Sequence, residues 1–510
     1  MSASAVVAEI RKMHGETPRK GGRKPAKTAG LALWMNRVLE ECTRASVDFA
    51  PDPVHDLRVA LRRCRSVASG LQALDPDPSW KQMKKAAKRL FDRLGELRDV
   101  QVMEEWVARL GTLDDPVTVA LLQFLAGRET QLKQEAAQAL LQFDQKRWRG
   151  WAASLPRRAA RMRPGSPIFQ HLALERWTAA YDLHRGALRN RSQVAFHRLR
   201  VGLKRFRYIV ENFLPGQHAA WSEGLKQLQD LLGEVHDLDV LWATALRVNA
   251  FPDGEARSRW HSKILEERSR RIEAYRGKML GKDSLWKLWR SVLPQGEQVE
   301  SIALTRLRLW ASLLDPDFRH SQHVARLAVQ LYDGLPPAPG TEGREERKVL
   351  QLAALLHDVG LSRKDKAHHK TTQKLITRLN PPMGWSREKM KIVAAVARYH
   401  RGALPRTGQK VLAGLTADER QTTIRLAAVL RLANAFDAER NGRIERLACE
   451  RQNGFLVIRA HDYNPRDRMA ETIAGARHLL ETVYRRPVVV KALRKAGELG
   501  TQPTKENRAL

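Results

Sequence analysis

Two kinds of chemistry are written into this chain at short spacing. The first is metal chemistry. The C-terminal part carries His320-Ser-Gln-His323-Val324, Leu355-Leu-His357-Asp358-Val-Gly360, His368-His369-Lys370 and Arg398-Tyr-His400-Arg401. An adjacent His-Asp at the end of an apolar helix, with a His upstream, has the ligand chemistry for a divalent metal. Imidazole and carboxylate suit Mn, Mg, Zn or Fe in different proportions. Such a metal binds phosphate oxygens and activates water.

The second is anion binding. A basic stretch occurs twice, as His55-Asp-Leu-Arg58-Val-Ala-Leu-Arg62-Arg63-Cys-Arg65 and as His197-Arg-Leu-Arg200-Val-Gly-Leu-Lys204-Arg205-Phe-Arg207. At ~100° per residue, positions 55, 58, 62 and 65 share one stripe of a helix, and so do 197, 200, 204 and 207. Leu57, Leu61 and Cys64, and Leu199, Leu203 and Phe206, form an adjoining apolar stripe. Each helix can therefore bury one side and hold a column of His, Arg and Lys beside it. Guanidinium groups on a rigid helix present donor forks to phosphate oxygens. Lys81, Lys85 and Lys88 add a further basic face in the first half only. His55 and His197 either donate to an anion or pack as neutral rings.

Each column precedes a second shared signature, Leu94-Gly-Glu-Leu-Arg-Asp99 and Leu232-Gly-Glu-Val-His-Asp237. Asp99 and Asp237 either orient the basic groups or bond to helix ends. The paired signatures recur with a period of roughly 140 residues, too long for a solenoid repeat and suited to a duplicated helical bundle. Solvation alone would not require His and Arg at fixed spacing.

The doubled His-x-x-Arg-x-x-x-Arg/Lys helix and its Leu-Gly-Glu-x-x-Asp partner resemble the CHAD family, the conserved histidine α-helical domains, over about residues 30–295. The resemblance implies two pseudo-symmetric helical bundles around a basic channel that binds inorganic polyphosphate. The histidine stretches resemble the HD phosphohydrolases. The closer likeness, over about 305–495, is to the helical HD-type domain of the exopolyphosphatase/guanosine-pentaphosphatase family. It implies His320, His357 and Asp358 as metal ligands, with His369 and His400 behind them or at a second metal, and Asp358, His369 and His400 as the catalytic set. Asn434 stands where those enzymes place a ligating Asp, so divalent affinity is expected to fall. In that family catalysis belongs to an actin-like ATPase domain, and no segment here resembles one.

The elements that must position these groups are mainly helical. Periodicity runs from Leu31 to about Leu293, broken at Asp75-Pro-Asp-Pro78, Arg163-Pro-Gly-Ser-Pro167 and Leu214-Pro-Gly216. The expected order is a basic disordered tail over 1–29, a duplicated antiparallel bundle over 30–295 (repeats about 30–165 and 170–295), an HD-type domain over 305–495, and a frayed tail over 496–510. Arg443–Cys449 and Phe455–Ala460 read as a β-hairpin across Asn453-Gly454, followed by a helix from about Arg466 to Tyr484 and a strand at Pro487–Val490.

A net charge of +34 argues for a polyanionic partner. Cys42, Cys64 and Cys449 form no Cys-x-x-Cys pair, and a reducing cytoplasm is the simpler assumption. No secretory signal or membrane-spanning run is visible. The leading expectation is a cytoplasmic polyphosphate-binding protein, associated with polyphosphate granules, whose HD-type domain has weak or lost phosphohydrolase activity. The alternative is a metal-dependent HD phosphohydrolase acting on polyphosphate or nucleotides, with the bundle as a targeting module. A third is a nonspecific nucleic-acid binder, which charge permits but the scarcity of aromatics beside the columns disfavours.

Overall fold

The apolar stripes decide how the chain folds. Leu57, Leu61, Cys64, Leu199, Leu203 and Phe206 are all buried, and the cationic columns lie on the flanks of the same helices. The computed structural model describes residues 30–47, 51–337, 343–363, 366–406 and 408–493. The tails expected at 1–29 and 496–510 lie outside the described residues.

The chain divides into two compact units, Met1–Gly296 and Glu297–Leu510. The first is helical throughout its described residues. It runs α1 (Leu31–Val47), α2 (Pro51–Leu71), α3 (Pro78–Ala86), α4 (Lys88–Leu110), α5 (Pro116–Leu141) and α6 (Gln145–Ala159). It continues α7 (Pro167–Asn190), α8 (Gln193–Phe213), α9 (Pro215–Arg247), α10 (Gly254–Met279) and α11 (Leu285–Val292). The basic stretches fall on α2 and α8, which pack on each other; the Leu-Gly-Glu signatures fall on α4 and α9, which do the same.

Local chemistry starts these helices where the punctuation predicts. Asp77 accepts the Ser79 N–H ahead of α3, with Pro78 in the first turn. Ser192 accepts the Ala195 N–H ahead of α8. The Asp75 turn is tied down as well: its carboxylate accepts from Trp80 Nε1 at 2.8 Å and from Arg158 at 2.7 Å twice. Where α9 is one 33-residue helix, the first half divides the equivalent path between α3 and α4 at Ala87.

The second unit packs α12 (Glu297–Leu314), α13 (Phe318–Gly334), α14 (Gly343–Leu356), α15 (His368–Arg378), α16 (Arg387–Arg398), α17 (Ala417–Ala435) and α18 (Arg468–Tyr484) around a core that includes Leu307, Val324, Leu352, Val393 and Val429. Its sheet is small, with β1 (Leu447–Gln452) antiparallel to β2 (Phe455–Ala460), and β3 (Val488–Ala492) parallel to β2. Asn453 and Gly454 make the turn at φ 48° and 85°, the left-handed pair that a two-residue hairpin needs. The fold is thus mainly α, with a terminal β element. Among the described residues no helix is long and apolar enough to cross a membrane.

Candidate metal centre and anion-binding helices

The metal centre is assembled from the ends of helices. His357 and Asp358 follow the last residue of α14, and His400 lies just past the end of α16. The two histidines use one local device. His357 Nδ1 donates to the Ala354 carbonyl at 2.6 Å, and His400 Nδ1 donates to the Ala397 carbonyl at 2.8 Å. Each bond fixes the tautomer and leaves the Nε2 lone pair facing inward. His357 Nε2 is buried with no hydrogen-bond partner.

Asp358 lies at the middle. Its Oδ1 is 3.6 Å from His357 Nε2, 3.2 Å from His368 Nε2 and 3.7 Å from His400 Nε2. Its Oδ2 lies 4.0 Å from His320 Nε2 and accepts from Arg440 at 2.5 Å. Two buried ligand sets result, His320–His357–Asp358 and Asp358–His368–His400, each with its ligand atoms within 4.8 Å of one another. Gly360 brings His368 there. A Cβ on Gly360 would come within 2.2 Å of the His368 carbonyl, so the close approach of α15 requires glycine. Thr372 clamps the same turn, accepting from Gly360 N at 3.0 Å and donating to the His357 carbonyl at 2.9 Å.

His320 enters from the first turn of α13, whose N-terminus Asp317 caps. Its Nδ1 donates to Asp437 at 2.7 Å, while Nε2 lies 3.1 Å from the Asn434 amide oxygen. The other Asp437 oxygen accepts the Gly442 N–H at 2.9 Å. Carboxylate support of this kind orients a ligating histidine and raises its basicity. It also turns the Nε2 lone pair toward an amide oxygen, an arrangement that two ligands of one cation adopt.

Burial pushes the His357 and His400 imidazoles below their usual range, which keeps them in the neutral, ligating form. Burial works to raise the Asp358 carboxyl, but His357, His368, His400 and Arg440 together hold it well below its ordinary range. Neutral imidazoles around a charged carboxylate fit a divalent ion, and so many nitrogens favour Zn, Fe or Mn over Mg. The orphaned His357 Nε2 points the same way.

In the first unit Asp99 interacts electrostatically with Arg58, Arg200 and Lys204, and Lys204 in turn with Arg58, Arg62 and Asp237. The two halves of the duplication therefore converge on one cluster. Among the described residues no carboxylate forms an ion pair with Arg58, Arg62, Arg200 or Lys204. Arg58 and Arg200, at equivalent positions of the two copies, each hold a buried Nε with no partner. Other column residues serve the bundle itself. Arg63 pairs with Glu211, Arg65 donates to the Lys84 carbonyl at 3.2 Å over the Phe91 ring, and Arg207 donates to Gln229 at 2.6 Å. His55, His197 and Arg205 are exposed, as are Lys81, Lys85 and Lys88; Lys88 lies 4.0 Å from Asp92. His236 is a participant that the spacing did not single out. Its Nδ1 is 3.4 Å from that of His197, and burial lowers its pKa to about 4.

The CHAD domain family profile matches residues 31–246, and that of the Ppx/GppA phosphatase, domain III, matches 308–461. The chain joins a CHAD domain to a Ppx/GppA domain III. It is similar to the CHAD domain of the plant Ricinus communis, a crystal structure, at 20% identity and a TM-score of 0.37, covering 54% of this chain and 96% of that one. No curated protein matches.

For the Ppx/GppA domain, the expectation of weak or lost activity through Asn434 is overturned. The domain keeps two intact His/Asp ligand sets, because the fold makes Asp358 common to both and adds His368. It carries a candidate divalent-metal centre. A second expectation is corrected too: His368, not His369, joins His400 at Asp358. The two are successive residues at the start of α15, about 100° apart on the helix, and only the approach of α15 to Gly360 decides between them. Asp437 does not replace the lost carboxylate as a ligand; it supports His320 from behind.

Asn434→Asp would place a charged oxygen where the amide now faces His320 Nε2. We expect it to tighten Mn²⁺ binding by about tenfold, roughly the worth of one added charge-assisted contact. Titration calorimetry on the full chain measures this, and an unchanged affinity would put position 434 outside the ligand shell.

Proposed function

We propose that this protein is a metal-dependent phosphohydrolase that cleaves polyphosphate or the phosphate tail of nucleotides, with its CHAD domain as a polyphosphate-targeting module. One observation carries the reading: a single buried carboxylate, Asp358, serves two histidine sets at once. A divalent ion held there supplies Lewis-acid chemistry toward phosphate oxygens and water. The chain's own groups do the rest. Asp358 provides the negative charge that holds a cation in a buried site, and the Ala354 and Ala397 carbonyls keep His357 and His400 in the ligating tautomer. Arg440, which bridges Asp358 and Asp317, balances Asp358 and stands where a phosphate oxygen would meet it.

Arg58, Arg62, Arg200 and Lys204 support the targeting role, because they form a cationic cluster assembled from both repeats and, among the described residues, none of them is in an ion pair. The aromatic rings beside the columns favour polyphosphate over nucleic acid. Phe91 lies under Arg58 and Arg65 and Trp34 under Arg63, so these rings stack on guanidinium groups and not on bases. Such a partner would place the protein in the cytoplasm, at polyphosphate granules.

The test is chelation followed by reconstitution of the full chain with Mn²⁺, Fe²⁺, Zn²⁺ or Mg²⁺, assayed on tripolyphosphate, long-chain polyphosphate and nucleoside triphosphates. Phosphate release should appear with metal and vanish with chelator. A chain carrying bound metal that releases phosphate from none of these substrates would overturn the enzyme reading. Equal retention of duplex DNA and polyphosphate at matched salt would overturn the targeting role.

A further inference from the structure

Beside the metal centre lies positive charge that the surrounding protein leaves unbalanced. His369 turns away from the ligand cluster. Its ring lies 5.9 Å from that of His368 and 6.4 Å from that of His400, edge-on to both. Its Nδ1 is buried without a hydrogen-bond partner. Its Nε2 faces Gly402, where a Cβ would stand 3.0 Å away; at φ 77° that position favours glycine.

The turn carrying Gly402 gathers cations around this ring. Arg431, from α17, donates to the Tyr399 and Gly402 carbonyls at 3.4 and 2.9 Å. Arg398, Arg401 and Lys370 all act on His369 through their charge, and Arg401 acts on Arg431 as well. Among the described residues no carboxylate pairs with Lys370, Arg398 or Arg401. Like charges held together in a protein repel, and a bound polyanion offsets that cost. The cluster adjoins the metal centre through His400, whose Nε2 is 3.7 Å from Asp358.

The geometry points to a phosphate subsite made by His369, Arg398, Arg401 and Lys370, which takes the phosphate next to the one at the metal centre. It rests on the phosphohydrolase reading and names the residues that would make that site select linked phosphates over phosphate monoesters. A monoester has no second phosphate to fill the subsite.

Binding to the chelated full chain tests this without turnover. Arg58→Gln and Arg200→Gln are first introduced to weaken the CHAD domain's own binding. Calorimetry should then show tripolyphosphate bound at least about tenfold more tightly than orthophosphate. Adding Arg398→Gln and Arg401→Gln should lower tripolyphosphate affinity by about tenfold or more, while the Mn²⁺ affinity stays unchanged. The exposed pair Arg401→Gln and Lys370→Gln should act in the same direction without disturbing packing. Equal losses for tripolyphosphate and ATP would support a site for a phosphate tail whatever carries it. A loss confined to tripolyphosphate would support the subsite and name free polyphosphate as its source. A loss confined to ATP would mean that the arginines read the nucleoside, and would overturn the proposal, as would unchanged tripolyphosphate affinity. Because no hydrolysis is needed, a chain that binds but never cleaves would sink the enzyme reading and leave the subsite standing.

Discussion

Asp358→Asn should abolish divalent-metal binding at both ligand sets of the C-terminal domain and reduce phosphate release to background. The carboxylate belongs to both ligand sets and is the one anionic group in either, and burial lowers the pKa of the His357 and His400 imidazoles beside it. With an amide in its place, a divalent ion entering this buried site would meet no compensating negative charge among the ligands, and Arg440 would repel it. Loss of a paired buried charge costs ~3–5 kcal/mol, so metal affinity should fall by at least about 100-fold. Replacing a histidine tests the sharing directly. His368→Ala removes a ligand from one set only, and His320→Ala from the other, so each should leave one ion bound. Metal content per chain after desalting reads both outcomes. Two ions retained by Asp358→Asn would show that the sets do not share their carboxylate.

Reversing charge at the centre of the basic cluster should have the other large effect. Arg58→Glu combined with Arg200→Glu is expected to weaken polyphosphate binding by about 100-fold or more, since each change removes one charge-assisted contact and adds a repulsion. The slope of affinity against salt should also become shallower, because fewer counterions are exchanged. Reversing Arg19 and Arg23 in the N-terminal tail should do much less; equal effects would favour diffuse attraction over a built site.

The same cluster predicts a pH response. Burial, with Arg200, Arg58 and Arg62 adding to it, lowers Lys204 to about 8. Burial raises Asp237 to about 6. Lys204 gains its charge below the first value and Asp237 loses its charge below the second. Both changes make the cluster more positive, so affinity should rise as pH falls through about 8 and again through about 6, at constant ionic strength. A flat profile would mean that neither group faces the ligand.

What could be read from residues alone was whatever depends on local periodicity. The two column helices announce themselves because each alternates apolar and cationic stripes at helical spacing, and a stripe such as Leu57–Leu61–Cys64 has to be buried wherever the helix docks. The hairpin at Asn453-Gly454 is legible for a similar reason, since few dipeptides accept two positive φ angles in succession. His357-Asp358 at the end of an apolar run marks metal chemistry before any fold is known.

Tertiary structure decided everything that depends on which chain segment arrives opposite. Arg63 lies among the column residues in sequence, yet it pairs with Glu211, which the second repeat supplies. Among the described residues Arg58 and Arg62 form no ion pair, although Asp99 and Glu211 act on them through their charge. Asn434 reads as the loss of a charged ligand when ligands are counted along the chain. In space, one carboxylate at 358 reaches two histidine sets, because α13, α15 and α16 deliver their imidazoles to its two oxygens from different sides. The difference between His368 and His369 is the plainest case. Neighbouring residues of one type carry no phase information at the start of a helix, and the choice falls to the bare Cα of Gly360, whose missing side chain lets α15 approach close enough to turn the first of them inward.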